Sequence, residues 1–120
     1  MLGPDAREIA ESFRRGPRRG DLLLELDAHR IASTSHLAAA VGITATRVVY
    51  MMHGRLPYYR HDQSLVRLGL ARRLKVRRGR AYEITPLGER VARILAEERR
   101  RDERAESERR WHTRRLRRER

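Results

Sequence analysis

Apolar residues recur along the chain in short bursts at helical spacing, and glycine or proline closes most of them. Ile9 and Phe13 lie four apart behind Pro4 and Asp5, which predicts a short helix from residue 4 to about 13. "RRGPRRG" (14–20) then interrupts the pattern. Asp21 is placed to cap a helix whose stripe is Leu22, Leu23 and Leu26. "RIAS" reads as a short extended link. Thr34 or Ser35 caps a helix to Val41, which Gly42 ends in the left-handed position. Thr44 caps the next, through about His53, and Gly54 ends it. A further short helix is expected from Gln63 to Leu68, stopped by Gly69.

The period then changes. Leu70, Leu74 and Val76 alternate along "LARRLKV", Tyr82 and Ile84 alternate on the return, and "RRGR" supplies a turn, so a two-stranded hairpin with a basic tip is predicted. Thr85 caps a last helix with Pro86 at its first position and Leu87, Val91, Ile94 and Leu95 as its stripe. Beyond Ala96 the apolar period ends. Opposite charges at helical spacing continue there: Glu97 with Arg101, Arg99 with Glu103, Arg104 with Glu108, Glu106 with Arg110. They let the helix run on but give no coiled-coil seam. The expected fold is mainly α with a small β-hairpin, an α+β class with a long charged C-terminal helix. Three parts follow: an N-terminal helix and basic linker (1–20), a folded domain (21–96) and an arginine-rich extension (97–120).

Charge adds a class of partner. The 120 residues carry 29 Lys+Arg against 16 Asp+Glu, a formal net charge of +13. Such a balance favours polyanions, nucleic acid before an anionic membrane surface. The chain has no cysteine, no apolar run of membrane-spanning length, and no signal-peptide apolar block in "MLGPDAREIAESFRRG". A soluble cytoplasmic protein with no membrane role is expected. Catalysis is not. His61, Asp62 and Ser64 are neighbours in sequence only, the histidines at 29, 36, 53, 61 and 112 show no metal-ligand spacing, and no glycine-rich phosphate loop follows a strand. No enzyme activity, metal or cofactor is therefore predicted.

The stretch from His36 to Gly54 is the most patterned and carries a single charge among its nineteen residues, Arg47. Leu37, Ala38 and Val41 share one helix face. Gly42 is the turn, Ile43 plugs the space beneath it, and Val48, Met51 and Met52 line the inner face of the following helix. Ala38, Gly42, Ile43, Val48 and Met51 stand at helix-turn-helix spacing. "LVRLGLARRL" and "YEITPLGERVARIL" extend the likeness, so residues 21–96 resemble winged helix-turn-helix regulators of archaea and bacteria, MarR-like ones included. "GRLPYYRHDQ" (54–63) is a longer connection than that family has.

The resemblance implies a recognition helix in the major groove of double-stranded DNA and a wing on the backbone or minor groove. The reading face would be Thr44, Ala45, Thr46, Arg47, Tyr50 and His53, with Arg47 suited to guanine or phosphate and Ala45 and Thr46 to a thymine methyl. The wing would bring Arg72, Arg73, Lys75, Arg77, Arg78 and Arg80, six basic groups among nine residues. Tyr58 and Tyr59, beside Arg55 and Arg60, either contact nucleic acid or pack on the core edge. The tail "RRWHTRRLRRER" either grips DNA or RNA or stays solvated, and Trp111 and Leu116 are its only apolar docking residues. Proteins of this kind act as two-fold dimers through terminal helices, here Ile9, Phe13, Leu87, Val91, Ile94 and Leu95, with part of that set closing the protomer's own core. The expected role is a DNA-binding transcription regulator. RNA binding, or protein interaction within a larger assembly, are the alternatives.

Overall fold

The N-terminal half is set by where the chain spends its leucines. In the computed structural model, which describes residues 5–118, Asp5 caps α1 (Ala6–Ser12) by accepting from the Glu8 amide at 2.9 Å. Pro4, expected to open this helix, lies outside the described residues, as do Glu119 and Arg120 of the tail. A single 3-10 turn (Phe13–Arg15) leads to α2 (Pro17–His29). The helix therefore starts four residues before Asp21. Proline suits a first helical turn, where its missing amide would have no partner. Asp21 instead receives Arg99 at 2.7 Å. Leu22, Leu23 and Leu26 are fully buried, together with Ile9, Ala10 and Phe13 from α1 and its turn.

The link after α2 is a strand. β1 (Ile31–Ser33) pairs antiparallel with β3 (Ala81–Ile84), which also pairs with β2 (Ala71–Leu74), giving a three-stranded sheet of order β1-β3-β2 rather than a hairpin alone. Ala32 faces Tyr82 and turns inward while Ile31 and Ser33 face out. Three residues are too few to show a period, so the sequence gives little warning of this strand. Arg30 makes the corner at φ +66, and its carbonyl accepts from the Ile84 amide.

α3 (Thr34–Val41) and α4 (Ala45–His53) follow. Ser33, not Thr34 or Ser35, caps α3 through the His36 amide; Thr34 is buried and donates to the Arg80 carbonyl. Gly42 is left-handed as expected, at φ +77, and its amide and that of Ile43 both donate to the Ala38 carbonyl. Thr44 caps α4, and Val48, Met51 and Met52 are its buried face. The helix expected at Gln63–Leu68 does not form. A 3-10 turn (His61–Gln63) takes its place, and the Leu65 and Val66 amides donate to Met51 and Met52 carbonyls at the end of α4. Those bonds satisfy the open carbonyls of α4 and leave the segment without its own helical ladder.

α5 (Pro86–Arg118) starts against the sheet. The Thr85 hydroxyl accepts from the Gly88 amide, and the Thr85 amide donates to the Leu70 carbonyl. Val91, Ala92 and Leu95 join the core, and the exposed helix runs on from Arg100. At 33 residues α5 is about 50 Å long. It lifts the radius of gyration to 17.2 Å, where a compact chain of this length has about 13.6 Å. Of the charge pairs expected on the extension, Glu106–Arg110 closes, while Arg99 turns back to Asp21.

Gly88 explains the "ITPLG" segment. A methyl placed there would run into the Leu70 carbonyl and the Ile84 side chain, whereas one at Gly42 meets nothing within 4 Å. Gly88→Ala should therefore cost about 3 kcal/mol by overpacking. Gly42→Ala, which pays only for its backbone conformation, should cost about 1 kcal/mol. Urea denaturation of both variants measures this, and the reverse order would contradict the packing account.

Candidate nucleic-acid interface

The exposed part of α4 begins at its cap. Thr44 accepts from the Arg47 amide at 3.2 Å, so the first turn is fixed by its own side chain. Thr44, Ala45, Thr46 and Arg47 are all exposed, because Val48, Met51 and Met52 hold the opposite face in the core. Tyr50 is half-buried on the flank.

The long connection after α4 folds against this flank. Arg55 and Tyr59 exchange two backbone hydrogen bonds, at 2.7 and 2.8 Å, around a cis Leu56–Pro57 peptide. Tyr59 then packs against the core edge, and Tyr58 is 89% exposed. Of the two, Tyr59 takes the core-edge role that the sequence leaves open. The Arg47 Nε donates to the Tyr59 hydroxyl at 3.2 Å, the Tyr50 and Tyr59 rings lie 5.5 Å apart, and the Arg55 guanidinium sits over Tyr50. Arg47 is held in place on the exposed face by this cluster.

A cleft of about 350 Å³ opens between that cluster and the start of α2. Arg15, Arg18, Arg19, Arg47 and Arg60 all line it. Two of them are partly structural. Arg19 donates to the Gln63 carbonyl at 2.7 Å over the Phe13 ring, and burial pushes its pKa down; Arg18 donates to the Val41 carbonyl at the end of α3. Arg60 pairs with Asp62. The contribution of Arg15 and Arg18 was legible only as charge in "RRGPRRG". The cleft joins segments more than 25 residues apart, which no local pattern reveals.

The β2–β3 hairpin carries the other basic group. Arg73, Lys75, Arg77 and Arg78 are exposed around a tip where Gly79 has φ +71. Arg72 is exposed too but paired across the strands with Glu83. Two expected contact residues are placed elsewhere. His53 is half-buried, and its Nε2 lies 2.8 Å from the hydroxyl of the fully buried Tyr82. Arg80 is half-buried beside the same hydroxyl. The phenol can give its proton to neutral His53. His53 and Tyr82 form a seam joining the end of α4 to β3, with Arg80 half-buried beside it, so His53 is not a free reading group. Burial, reinforced by Arg80 and then Arg73, holds His53 below the ordinary imidazole value of 6.5.

The proposed dimer residues need correction as well. Ile9, Phe13, Val91 and Leu95 are buried inside the protomer where α1, α2 and α5 meet, and Ile94 and Leu87 are half-buried against that core. A side chain already enclosed by its own chain offers no apolar area to a second one. The histidines bring a different surprise. Their sequence spacing suggests no metal set, yet His29 and His36 meet at Glu25, on the outside of α2 and α3. Among the described residues no helix is long and apolar enough to cross a membrane.

A family model described as EarA-like matches residues 9–95. The matched span begins in α1 and ends at the last buried residue of α5, so it coincides with the packed body and excludes the exposed extension. No curated protein and no solved structure matches the chain.

The His53 seam has a pH signature. The folded chain binds a proton at His53 less readily than the unfolded chain, so stability is full above about pH 6.5 and falls as the pH drops below it, through the lowered folded value. Thermal melts between about pH 7.5 and 5 should show the wild type losing more stability than His53→Gln. Equal losses would mean that His53 is not held neutral by Tyr82 and its neighbours.

Proposed function

The chain belongs to the EarA-like family, and we propose that it is a sequence-specific double-stranded DNA-binding protein of winged helix-turn-helix type, acting as a cytoplasmic transcription regulator. One observation carries this reading. The first turn of α4 is exposed from Thr44 to Arg47, and the seam at the other end of the same helix attaches a hairpin with four exposed cations, Arg73, Lys75, Arg77 and Arg78. A short polar face with a basic arm set beside it suits duplex DNA, in which base edges give sequence and phosphates give affinity.

In this reading α3 and α4 flank the Gly42 turn, and α4 enters the major groove. Arg47, steadied by Tyr59, takes guanine or a phosphate; Ala45 and Thr46 meet a thymine methyl. The hairpin follows the phosphates or the minor groove. The arginines at the start of α2 extend the same positive field along the α4 flank. The protein acts as a homodimer. Because the inner faces of α1 and α5 are spent in the core, the two copies meet through the exposed distal part of α5, which carries Trp111 and Leu116.

Selection from a random duplex pool, followed by titration at several salt concentrations, tests this directly. Arg47→Ala should cost about 1–3 kcal/mol at the selected site and relax preference at one base position. Replacing Lys75, Arg77 and Arg78 by Ala should weaken binding to every sequence alike and reduce the salt slope by about 0.9 for each phosphate no longer neutralised. Unchanged preference after Arg47→Ala would sink the recognition-helix role, and tighter binding to duplex RNA than to DNA would favour the RNA reading. Light scattering should find a dimer that Trp111→Ala with Leu116→Ala converts to monomer; a monomeric wild type would refute the pairing.

A further inference from the structure

Glu25 and His29 lie one turn apart on α2, so both side chains leave the same face. His36 stands in the first turn of α3, across β1. The Nε2 atoms of both imidazoles converge on one carboxylate oxygen: Glu25 Oε1 is 3.1 Å from His29 and 3.2 Å from His36. The two rings approach edge-on, with centroids 4.6 Å apart and planes at 78°, so they do not stack. All three donor atoms lie within 4.8 Å of one another.

We propose that Glu25, His29 and His36 form a binding site for a divalent transition-metal ion of the zinc type. The spacing supports it. Zinc–nitrogen and zinc–oxygen bonds of about 2.0–2.1 Å at a tetrahedral angle separate neighbouring donor atoms by about 3.3 Å. The two nitrogen–oxygen distances are close to that, so an ion can enter with small side-chain rotations. The donor set chooses the metal class. Two imidazoles and a carboxylate suit zinc, cobalt, nickel or copper, whereas magnesium and calcium want oxygen throughout. Leu26 and Leu37, next in sequence to Glu25 and His36, are fully buried in the common core, which anchors both helices beside the site. All three ligands are partly exposed, which leaves an entry path and a fourth position for water.

Binding would tie the end of α2 to the start of α3, the helix that precedes the exposed turn of α4. It would act as a cross-link between two elements otherwise joined there by a three-residue strand. The site uses none of the residues assigned to DNA, so it stands whatever the chain binds.

The experiment uses the untagged full chain. Zinc chloride titrated by calorimetry should bind one equivalent per protomer, and cobalt(II) should give the visible absorption of a low-symmetry, nitrogen-and-oxygen site. Zinc at a hundredfold excess over its dissociation constant should raise Tm by about 5–10 °C. Magnesium should do nothing. His29→Gln, His36→Gln and Glu25→Gln should each weaken zinc binding at least about tenfold, since removing a ligand costs no less than removing a group that supports one. The metal-free variants should keep the wild-type circular dichroism, so that failure to bind is not mistaken for failure to fold. His112→Gln, on distal α5, should bind as the wild type does. The proposal is overturned by absence of saturable one-equivalent binding, by binding that survives the His29→Gln, His36→Gln double substitution, or by an equal response to magnesium.

Discussion

The close approach of Gly88 to the Leu70 carbonyl governs the placement of the hairpin. α5 can lie this near the entry to β2 only because residue 88 has no side chain. Thr85 completes the clamp, its amide on the Leu70 carbonyl and its hydroxyl on the Gly69 carbonyl. The base of β2 and the end of β3 are thereby fixed to the start of α5. From β3 the constraint passes to Tyr82, whose ring is fully buried and whose hydroxyl meets His53 at the end of α4. A backbone contact on one side of the molecule thus sets the angle between the hairpin and the helix on the other.

Charge is sorted along this framework. The α3–α4 stretch is nearly uncharged because most of it is scaffold: Leu37, Ala38, Val48, Met51 and Met52 are buried. Most of the arginines occupy the hairpin, the entry to α2 and the extension. Several have structural duties that reduce the free charge. Arg19 and Arg18 close backbone carbonyls, Arg72 answers Glu83, and Arg99 holds Asp21. The formal charge of +13 therefore overstates what a polyanion would meet, and position matters more than total.

Much of the framework was legible because it is local. Gly42, the Thr44 cap and the Val48, Met51, Met52 face follow from spacing and backbone sterics. So does the Thr85–Pro86 start of α5. The missed features depend on distant partners. β1 is defined by its pairing with β3, and residues 65 and 66 by amides given to α4. His53 has the spacing of a reading residue because it ends the helix, and only the tertiary position of Tyr82 turns it inward. Ile9, Phe13, Val91 and Leu95 have the pattern of an available face because an apolar stripe carries no label for which surface it will meet. The Glu25, His29 and His36 cluster is hidden for the same reason, since α2 and α3 bring it together across a strand.

The central claim, that the exposed turn of α4 and the hairpin tip form one duplex-binding face, is tested most directly by mapping backbone amide shifts in solution as a selected DNA duplex is added. The account predicts that the largest changes fall together on residues 44–50 and 73–79, with the buried faces of α1 and α5 unmoved. Changes confined to the distal half of α5, with both of those segments silent, would contradict it.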